Sequence, residues 1–513
     1  MLTRINSAKC IGIDAVDVVI EVEIDRGIGI HMVGMADTAV KESLLRIITA
    51  MASLGYKVPG KKIVINLAPA DMRKNGSGYD LPIALGIIAS CAGVTCPAVR
   101  DYMVMGELGL DGEVRYIPGA LPYAELAQKR GLKGIILPRD CAAEACAVRG
   151  IEVYGVRSLT DVVAIIEDAE QGREFIVREE ELEVAQPGQD GGIPDFADII
   201  GQAGAKRAME IAAAGSHNIM MIGSPGSGKS TLAKALAGIL PPLSREEALV
   251  TSKIYSICGK GLQRPAMCRT RPFRAPHHSS SIASLIGGGS GDCIIPGEVS
   301  LANNGVLFMD EFAQLPRSVI ESLRAPLEDR IVTVSRMRSK ITFPASFMLV
   351  AASNPCPCGY YGEGNRCVCK PYRREEYLTK LSGPIMDRID LQVIVRRVKS
   401  GQLAGRGKAE SSADVAARVR KARDIQLKRF AGEKIFTNSE MSIRQLEHYC
   451  PLSSECLTCL DEIMDKMQLS LRAYHRIIRL ARTIADLEGV AEIDKYHIME
   501  AAGYRFLDKI NDE

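Results

Sequence analysis

The sequence predicts an α/β protein that ends in a helical domain, and three observations support this prediction. The chain has 513 residues, which suggests roughly three domains of about 150 residues each. Short segments rich in β-branched residues alternate with segments of helical spacing over residues 1–400. Beyond them, Leu, Ile, Met and Ala recur at three- and four-residue spacing, as in Ile463–Leu487. We therefore expect two α/β domains followed by a helical one.

The composition excludes several classes of protein. A hydrophobic fraction of 47% and a charged fraction of 25% are ordinary for a globular chain. No run of about 18 uncharged apolar residues occurs, and no apolar core of a signal peptide follows Met1–Cys10. The 15 cysteines are an odd number scattered along the chain, which argues against a secreted disulfide framework. We expect a cytoplasmic protein without a membrane span, and the net charge of +2 neither requires nor excludes nucleic acid.

The distribution of strand, helix and loop signals along the chain divides it into four segments. Residues 1–167 are predicted to form an α/β domain, 168–195 an acidic and then Gly- and Pro-rich linker, 196–400 a parallel α/β core, and 401–513 a helical domain. Lys399–Ala413 is a polar hinge before the helical domain. In the first domain the strand signals are Val18–Ile24, Lys62–Leu67 and Gly134–Leu137, and the helix signals are Asp37–Leu54 and Leu81–Cys91.

The most specific motif in the chain is a phosphate-binding loop. Asn218–Ile222 reads as a short apolar strand, the next residues satisfy G-x-x-x-x-G-K-[ST], and an apolar helix follows. The predicted nucleotide-binding residues are Gly223, Ser224, Pro225, Gly226, Ser227, Gly228, Lys229, Ser230 and Thr231. Backbone N–H groups and the helix dipole would surround a phosphate, Lys229 would reach the β- and γ-phosphates of ATP, and Ser230 would hold Mg²⁺. The alternative is a glycine-rich loop without a ligand, which the flanking strand and helix disfavour.

A second apolar strand ends in two acids further along the chain. Gly305–Phe312 reads GVLFMDEF, so Asp310 and Glu311 follow a buried strand. Asp310 would bind Mg²⁺ through water, and Glu311 would polarise the attacking water as a general base. An apolar strand followed by two acids is common by itself, but its combination with the phosphate loop predicts ATP hydrolysis.

These motifs resemble the ATPase module of the AAA+ class. Asp198–Gln202 resembles the adenine-side entry of such modules. Phe347–Asn354 is predicted to form a third buried strand, and the resemblance implies that Asn354 at its end helps to position the water. Ser382–Asp390 resembles the segment that carries the arginine finger in magnesium chelatase ATPases and minichromosome maintenance helicases, which implies that Arg388 is the finger. The alternative is a surface arginine in a turn.

The resemblance also implies a second sensor and a ring. Ser470–Arg476 resembles the lid helix that supplies this sensor, with Arg472 as the first candidate and Arg476 as its competitor. A finger that works in trans leaves one subunit unable to complete its own active site, so the resemblance implies a homo-hexamer.

Two further segments resemble the hairpins that relatives direct into the pore of the ring. They are Arg271–Gly289 and the basic, strand-like Ile331–Ile341. Arg336, Arg338 and Lys340 are candidates for contacts with DNA phosphates. The alternative is a solvated hairpin face.

The full pattern resembles the ComM/YifB family of magnesium-chelatase-like proteins. The resemblance implies a ring-forming DNA helicase that drives branch migration of single-stranded or branched DNA during natural transformation. True chelatase ATPase subunits usually lack the first domain, which favours this interpretation. Two alternatives stay open: a chelatase-type or protein-remodelling ATPase that does not act on DNA, and a nucleotide-gated scaffold with little turnover, which Asp310, Glu311 and Arg388 disfavour.

The first domain resembles the proteolytic domain of Lon, without its catalytic pair. Lon uses a Ser in K-D-G-P-S-A-G and a Lys in G-G-L-K, whereas the matching segments here are Lys74–Asp80 and Ile117–Leu121. The alignment places Gly78 at the serine position and Leu121 at the lysine position. Ser77 lies one place away, but no lysine faces it in that register either. Because an unassisted serine is a weak nucleophile, we predict no peptidase activity.

Two close cysteine pairs follow the third strand of the core. Cys356 and Cys358 precede Cys367 and Cys369 in a polar, glycine-rich loop. Four thiolates suit a structural Zn²⁺ that would brace the loop, but C-x-C pairs are less usual than C-x₂-C, and many loops carry cysteines without a metal. Zinc and a metal-free loop are therefore both retained. His277–His278 have no partner spacing for a metal and are interpreted as loop residues.

Overall fold

A computed structural model describes residues 2–91, 98–178, 192–260, 267, 269–289, 294–336, 339–379, 385–398 and 409–505. Most of the predicted hinge Lys399–Ala413 therefore lies outside the described residues. The described fold consists of an N-terminal mixed sheet, a parallel sheet and a helical C-terminal region, each with its own helices. None of the described helices combines the length and the apolarity that a membrane span requires.

The N-terminal region is built on a mixed sheet. Its strands are β1 (Leu2–Ile11), β2 (Asp14–Asp25), β3 (Gly29–Val33), β4 (Lys62–Ala68), β5 (Tyr102–Val104), β6 (Glu107–Leu108), β7 (Val114–Arg115), β8 (Gly134–Pro138) and β9 (Glu152–Val156). In the described part of the chain, seven of them pair in the order β3-β4-β2-β1-β5-β8-β9, and β2 runs antiparallel to β1 and β4. The helices are α1 (Thr38–Ser53), α2 (Asp80–Ser90), α3 (Ala120–Lys129), α4 (Arg139–Ala145), α5 (Leu159–Glu167) and α6 (Ala169–Gly172). Helix α2 packs against β1, β2 and α1, which explains its apolar sequence.

The start of the predicted linker 168–195 belongs to the N-terminal region. Helix α6 is followed by a 3₁₀ turn at Arg173–Phe175, and Ile176 bridges Tyr154 of β9. The Val177 N–H donates to the Val153 carbonyl at 2.8 Å, and the Val177 side chain is buried. The linker prediction is therefore wrong for residues 169–178, because a few apolar side chains anchor an otherwise charged segment to the sheet edge. Residues 179–191 lie outside the described residues.

The second region is built on a parallel sheet. Its strands are β10 (Ile219–Ile222), β11 (Phe273–Arg274), β12 (Gly287–Gly288), β13 (Ile295–Pro296), β14 (Val306–Met309), β15 (Ile331–Arg336), β16 (Ser339–Pro344), β17 (Met348–Ser353) and β18 (Leu391–Ile394). Among the described residues, five strands pair in parallel in the order β11-β14-β17-β10-β18, whereas β12–β13 and β15–β16 are antiparallel hairpins. Helices cover both faces of this sheet, so β10, β14 and β17 are buried and read as continuous apolar runs.

The helices of the parallel-sheet region connect these strands. They are α7 (Ala203–Gly215), α8 (Lys229–Leu236), α9 (Arg245–Ile257), α10 (Ile282–Ile286), α11 (Glu298–Leu301), α12 (Arg317–Ser322), α13 (Arg324–Asp329) and α14 (Pro371–Thr379). The segment Arg271–Gly289 is only partly a hairpin: it contains β11 at the edge of the parallel sheet, then α10, and last Gly287–Gly288, which form one strand of the β12–β13 hairpin. A strand of two residues carries no periodic signal in the sequence.

The C-terminal region is helical, as predicted. Its helices are α15 (Ser412–Arg429), α16 (Ile443–Tyr449), α17 (Ser454–Met467), α18 (Leu471–Glu488) and α19 (Lys495–Gly503). Helix α18 packs against α7, α15 and α19, so this region shares a hydrophobic core with the parallel sheet. In that core, Asp486 accepts a hydrogen bond from Arg429 Nη1 at 2.8 Å and from Arg482 Nε at 3.1 Å.

Helix α9 joins the parallel-sheet region to the N-terminal region. The Lys253 ammonium group is buried and lies 2.6 Å from Asp14 Oδ1 and 2.6 Å from Glu125 Oε2. One turn on, the Ser256 carbonyl accepts a hydrogen bond from the Gly119 N–H at 3.1 Å. A buried cation between two carboxylates is costly to separate from them, so these contacts tie the two regions together.

Candidate active site

The loop between β10 and α8 has the form that the phosphate-binding motif predicts. Its first glycine packs tightly, since a β-carbon at Gly223 would lie 2.3 Å from the Val395 carbonyl oxygen. Gly228, with φ 97°, turns the chain into α8, whose first residue is Lys229. Because the first N–H groups of a helix have no partner within the helix, they face the loop as donors for an anion.

Lys229 is held under this loop. The residue is 8% exposed, and its Nζ donates to the Gly223 carbonyl at 2.6 Å and to the Ser224 carbonyl at 3.0 Å. Nζ also lies 3.3 Å from Asn354 Oδ1, so two residues predicted from distant parts of the sequence meet here. Burial lowers the pKa of Lys229, while the carboxylates of Asp310 and Glu311 oppose this effect and favour the ammonium form.

Ser230 and Asp310 meet at the carboxyl ends of β10 and β14. The Ser230 hydroxyl donates to Asp310 Oδ2 at 3.0 Å. The other oxygen, Oδ1, accepts the backbone N–H of Glu311 at 2.8 Å, where Glu311 has φ 51°. A hydroxyl and a carboxylate are the oxygen ligands that Mg²⁺ takes beside a nucleotide, so these residues fit the predicted ion.

These residues line a cavity of about 730 Å³, which is large enough for a nucleotide. Its lining residues are Pro225, Gly226, Ser227, Gly228, Lys229, Ser230, Thr231, Ala275, Pro276, His277, His278, Phe308, Asp310, Glu311, Ser353 and Asn354. His277 and His278, interpreted from the sequence as loop residues, belong to this wall. The two histidines follow the two-residue strand β11 at the sheet edge. A strand this short has no periodic pattern by which the sequence could predict it.

The four predicted cysteines form a cluster beside the phosphate loop. Their Sγ atoms all lie within 4.8 Å of one another, with Cys356 to Cys358 at 3.4 Å and Cys356 to Cys367 at 3.8 Å. The backbone N–H of Tyr360 lowers the pKa of the Cys358 thiol to about 6, whereas burial raises the pKa of Cys356 to about 12. Four converging thiols fit a tetrahedral Zn²⁺.

The cysteine loop touches the phosphate loop directly. The Ser224 hydroxyl donates to the Glu363 carboxylate. Gly359 lies against Pro225, since a β-carbon at Gly359 would lie 2.7 Å from the proline ring. Neither Gly359 nor Glu363 was predicted from the sequence, because their role depends on how the loop folds back.

The predicted finger and sensor arginines line another cavity. Arg388 and Arg472 lie in a cleft of about 340 Å³, and neither lines the nucleotide cavity. Arg388 is buried and contacts the Glu328 carboxylate. Arg476 contacts the buried Asp390, while the Arg472 side chain is 64% exposed and lies 3.4 Å from Asp387. The first residues of the Ser382–Asp390 motif are outside the described residues.

Two of the three candidate DNA contacts, Arg336 and Lys340, belong to the strands of the β15–β16 hairpin. Lys340 is exposed on β16. The Arg336 backbone pairs with Ser339 at the end of the hairpin. Arg338 lies outside the described residues.

The parallel sheet with its phosphate loop, acidic strand end and helical C-terminal region defines the class: a P-loop module of the AAA+ type. Models described as "Magnesium chelatase, subunit ChlI", "Subunit ChlI of Mg-chelatase" and "Magnesium chelatase, subunit ChlI C-terminal" match residues 195–403, 20–141 and 409–505. The chain belongs to the magnesium-chelatase-like family that includes YifB and ComM, which confirms the resemblance and the fold class.

Several relatives match nearly the whole chain, among them the following three. The uncharacterized protein YifB of Escherichia coli is 40% identical over 512 residues, covering 99% of this chain and 98% of YifB. The competence protein ComM of Haemophilus influenzae is 40% identical over 514 residues, covering 99% of this chain and 98% of ComM. The uncharacterized protein Rv2897c of Mycobacterium tuberculosis is 37% identical over 491 residues, covering 95% of each chain.

Proposed function

We propose that the protein is a ring-forming ATPase that moves along single-stranded or branched DNA, in the manner of a ComM-like helicase. The observation that carries the ATPase part is the meeting of Lys229, Ser230, Asp310 and Asn354 around one cavity. The DNA part rests on the family, in which a full-length relative is named a competence protein. The alternative is a chelatase-type or protein-remodelling ATPase that does not act on DNA.

The residues of the cavity divide the work of hydrolysis. Backbone N–H groups of the loop and Lys229 bind the phosphates, and Mg²⁺ held by Ser230 and Asp310 offsets their charge. Glu311 accepts a proton from the attacking water, and Asn354 orients that water. The contact of Asn354 with Lys229 supports this role, since it brings the water-positioning amide to the γ-phosphate end of the cavity.

Arg388 is proposed to enter the site of a neighbouring subunit, and Arg472 is proposed as the second sensor. Both line a cleft separate from the chain's own nucleotide cavity, which supports action in trans and a hexameric ring. Arg472 is better suited to reach out than Arg476, because Arg476 is committed to the buried Asp390 whereas Arg472 is exposed.

The test is ATP turnover with and without single-stranded and forked DNA. We expect a several-fold rise with DNA in the wild type and no turnover in the Glu311→Gln variant. The combined change of Arg336, Arg338 and Lys340 to alanine should keep the basal rate and remove the rise, because phosphate contacts supply most of the non-specific affinity. Changing Arg420, Lys421 and Lys428, which are exposed on α15, is the matched control. An ATP turnover that is the same with and without every form of DNA would favour a chelatase-type or protein-remodelling ATPase.

The cysteine cluster is proposed to hold a structural zinc that braces the active site. Zinc would fix the loop that carries Gly359 and Glu363 against the phosphate loop. This loop begins directly after Asn354, so the metal would also brace that end of the active site. We expect elemental analysis to find one zinc ion per chain in the wild type. In the double variant Cys356→Ser, Cys367→Ser it should find none.

The same double variant should melt at a lower temperature and bind ATP more weakly, because metal-binding free energy contributes to the folding of the loop. Cys91→Ser, in the N-terminal region, is the control and should keep both properties. A wild type that contains no zinc and is indifferent to chelators would contradict the zinc proposal.

The N-terminal domain is proposed to serve assembly or DNA contact and not peptide hydrolysis. A β-carbon at Gly78 would lie 3.2 Å from Met105 Cε, so the position faces an apolar side chain. Leu121 is fully buried, and the Ser77 hydroxyl donates to the Glu107 carboxylate. The lysine of the Lon pair is therefore missing at both positions, which supports a domain without the Ser–Lys chemistry of Lon.

A further inference from the structure

Two neighbouring histidines in the wall of the nucleotide cavity have no part in the mechanism described so far. His277 and His278 follow β11 and line the cavity together with Asp310 and Glu311. Their rings are in contact, with centroids 4.0 Å apart, and both side chains are exposed. Among the described residues, neither histidine belongs to the group that could hold a metal ion, which consists of the four cysteines.

The register of the sheet puts these histidines at the phosphate end of the cavity. Arg274 of β11 pairs with Leu307 of β14, and the two strands run parallel. His277 and Asp310 each lie three residues beyond this pair, His277 in the loop after β11 and Asp310 directly after β14. Because ligands of parallel sheets bind at the carboxyl ends of the strands, His277 is expected beside the Mg²⁺ and γ-phosphate position.

Two ion pairs anchor β11, the strand that precedes the histidines. Arg271 makes two contacts of 3.0 Å with the Glu247 carboxylate on α9. Arg274 contacts the Glu298 carboxylate on α11 at 2.6 and 2.7 Å. Such bidentate pairs fix geometry as well as adding energy, so the histidines project from a rigid support.

Ser279 contacts one of the two ring nitrogens of His277. The backbone N–H of Ser279 donates to His277 Nδ1 at 3.3 Å. The Ser279 hydroxyl lies 2.7 Å from the same Nδ1, so Ser279 occupies this nitrogen and Nε2 is the ring nitrogen left to a ligand. When Nε2 carries the ring proton it can donate to a phosphate oxygen, and the terminal phosphate of a nucleotide supplies such acceptors.

We propose that His277 and His278 donate hydrogen bonds to the terminal phosphate of bound ATP and so distinguish ATP from ADP. This proposal rests on the proposed nucleotide-binding function. The terminal phosphate is assigned as their partner, because the histidines line the same cavity as Lys229, Ser230 and Asp310, which define its phosphate end.

The experiment compares the Kd values of fluorescent ATP and ADP analogues for the full chain. In the double variant His277→Ala, His278→Ala, ATP binding should weaken about tenfold or more, as expected for lost hydrogen bonds to a charged group, while ADP binding stays within about twofold. Replacement of both by glutamine, which retains an N–H donor, should recover part of the ATP affinity. His31→Ala, on the exposed edge strand β3, is the control and should change neither Kd.

Each outcome separates this proposal from the proposed motor function. An unchanged ratio of the two Kd values in the double variant overturns the histidine proposal, and so does an equal loss of ATP and ADP affinity. A wild type that binds ATP but does not hydrolyse it overturns the motor function, while a changed ratio in the variant still supports the phosphate contact. A wild type that binds neither nucleotide overturns both.

Discussion

Replacing Arg388 with alanine is expected to lower ATP turnover by about three orders of magnitude or more while the isolated chain still binds ATP. The reason is the location of Arg388, which lines the cleft with Arg472 and not the chain's own nucleotide cavity. A guanidinium that enters a neighbour's site stabilises the charge that develops on the γ-phosphate, and its loss affects the chemical step alone. Turnover and the Kd of an ATP analogue, measured side by side, test this expectation.

Mixing two inactive variants gives the sharper test of Arg388. An Arg388→Ala subunit keeps its own Glu311, and a Glu311→Gln subunit keeps its own Arg388. In randomly mixed rings about a quarter of the interfaces would combine the two intact residues, so activity should return on mixing.

The outcome that contradicts a finger in trans is an inactive mixture of well-folded chains. Melting temperatures supply the control, because Arg388 also contacts Glu328 on α13. Glu328 is 57% exposed, so its carboxylate can be solvated after the change, but Arg388 is buried and its truncation also removes packing; we therefore expect a moderate fall in melting temperature. A large drop in melting temperature would instead assign Arg388 a structural role.

Replacing Glu311 with glutamine is expected to lower turnover by about two to four orders of magnitude without weakening ATP binding. Glutamine keeps the shape of the side chain but cannot accept the proton of the attacking water. The backbone N–H of Glu311, which donates to Asp310, is unaffected by the change, so the predicted Mg²⁺ ligand stays in position. Turnover and ATP affinity are the two measurements.

Glu462→Gln provides the matched control, since it removes an exposed carboxylate from α17 in the C-terminal region. Its turnover should equal that of the wild type. If Glu311→Gln retains more than about a tenth of the wild-type rate, another group supplies the base and the assignment of Glu311 is wrong.

The zinc and histidine proposals both concern the wall of the same cavity. Cys356 follows Asn354 closely in the chain, and His277 follows the strand next to that of Asp310. Loss of zinc is expected to affect the phosphate loop through Gly359 and Glu363, and therefore both nucleotides. Loss of the histidines is expected to affect ATP alone, so the two sets of variants report on different parts of the site.

The sequence by itself determined the phosphate loop, the acidic strand end, the cysteine cluster and the helical C-terminal region. The loop could be predicted because Asn218–Ile222, the glycines and α8 are contiguous, so strand, turn and helix leave their signals in one short segment. The acids at Asp310 and Glu311 are likewise marked by the buried strand immediately before them. The helices at the C-terminus carry a periodic apolar pattern over many residues, which is the most reliable local signal.

Only the tertiary structure decided which of these residues meet. The order β11-β14-β17-β10-β18 brings Asn354 to Lys229 and His277 to the level of Asp310, and strand order depends on packing between segments far apart in the chain. The two-residue strand β11 was missed because it is too short for a period, and the packing of Val177 was missed because one apolar residue in a charged segment carries no pattern. Arg388 does not line the nucleotide cavity of its own chain in the folded structure. The sequence could not show this, because it depends on contacts between segments that are far apart in the chain.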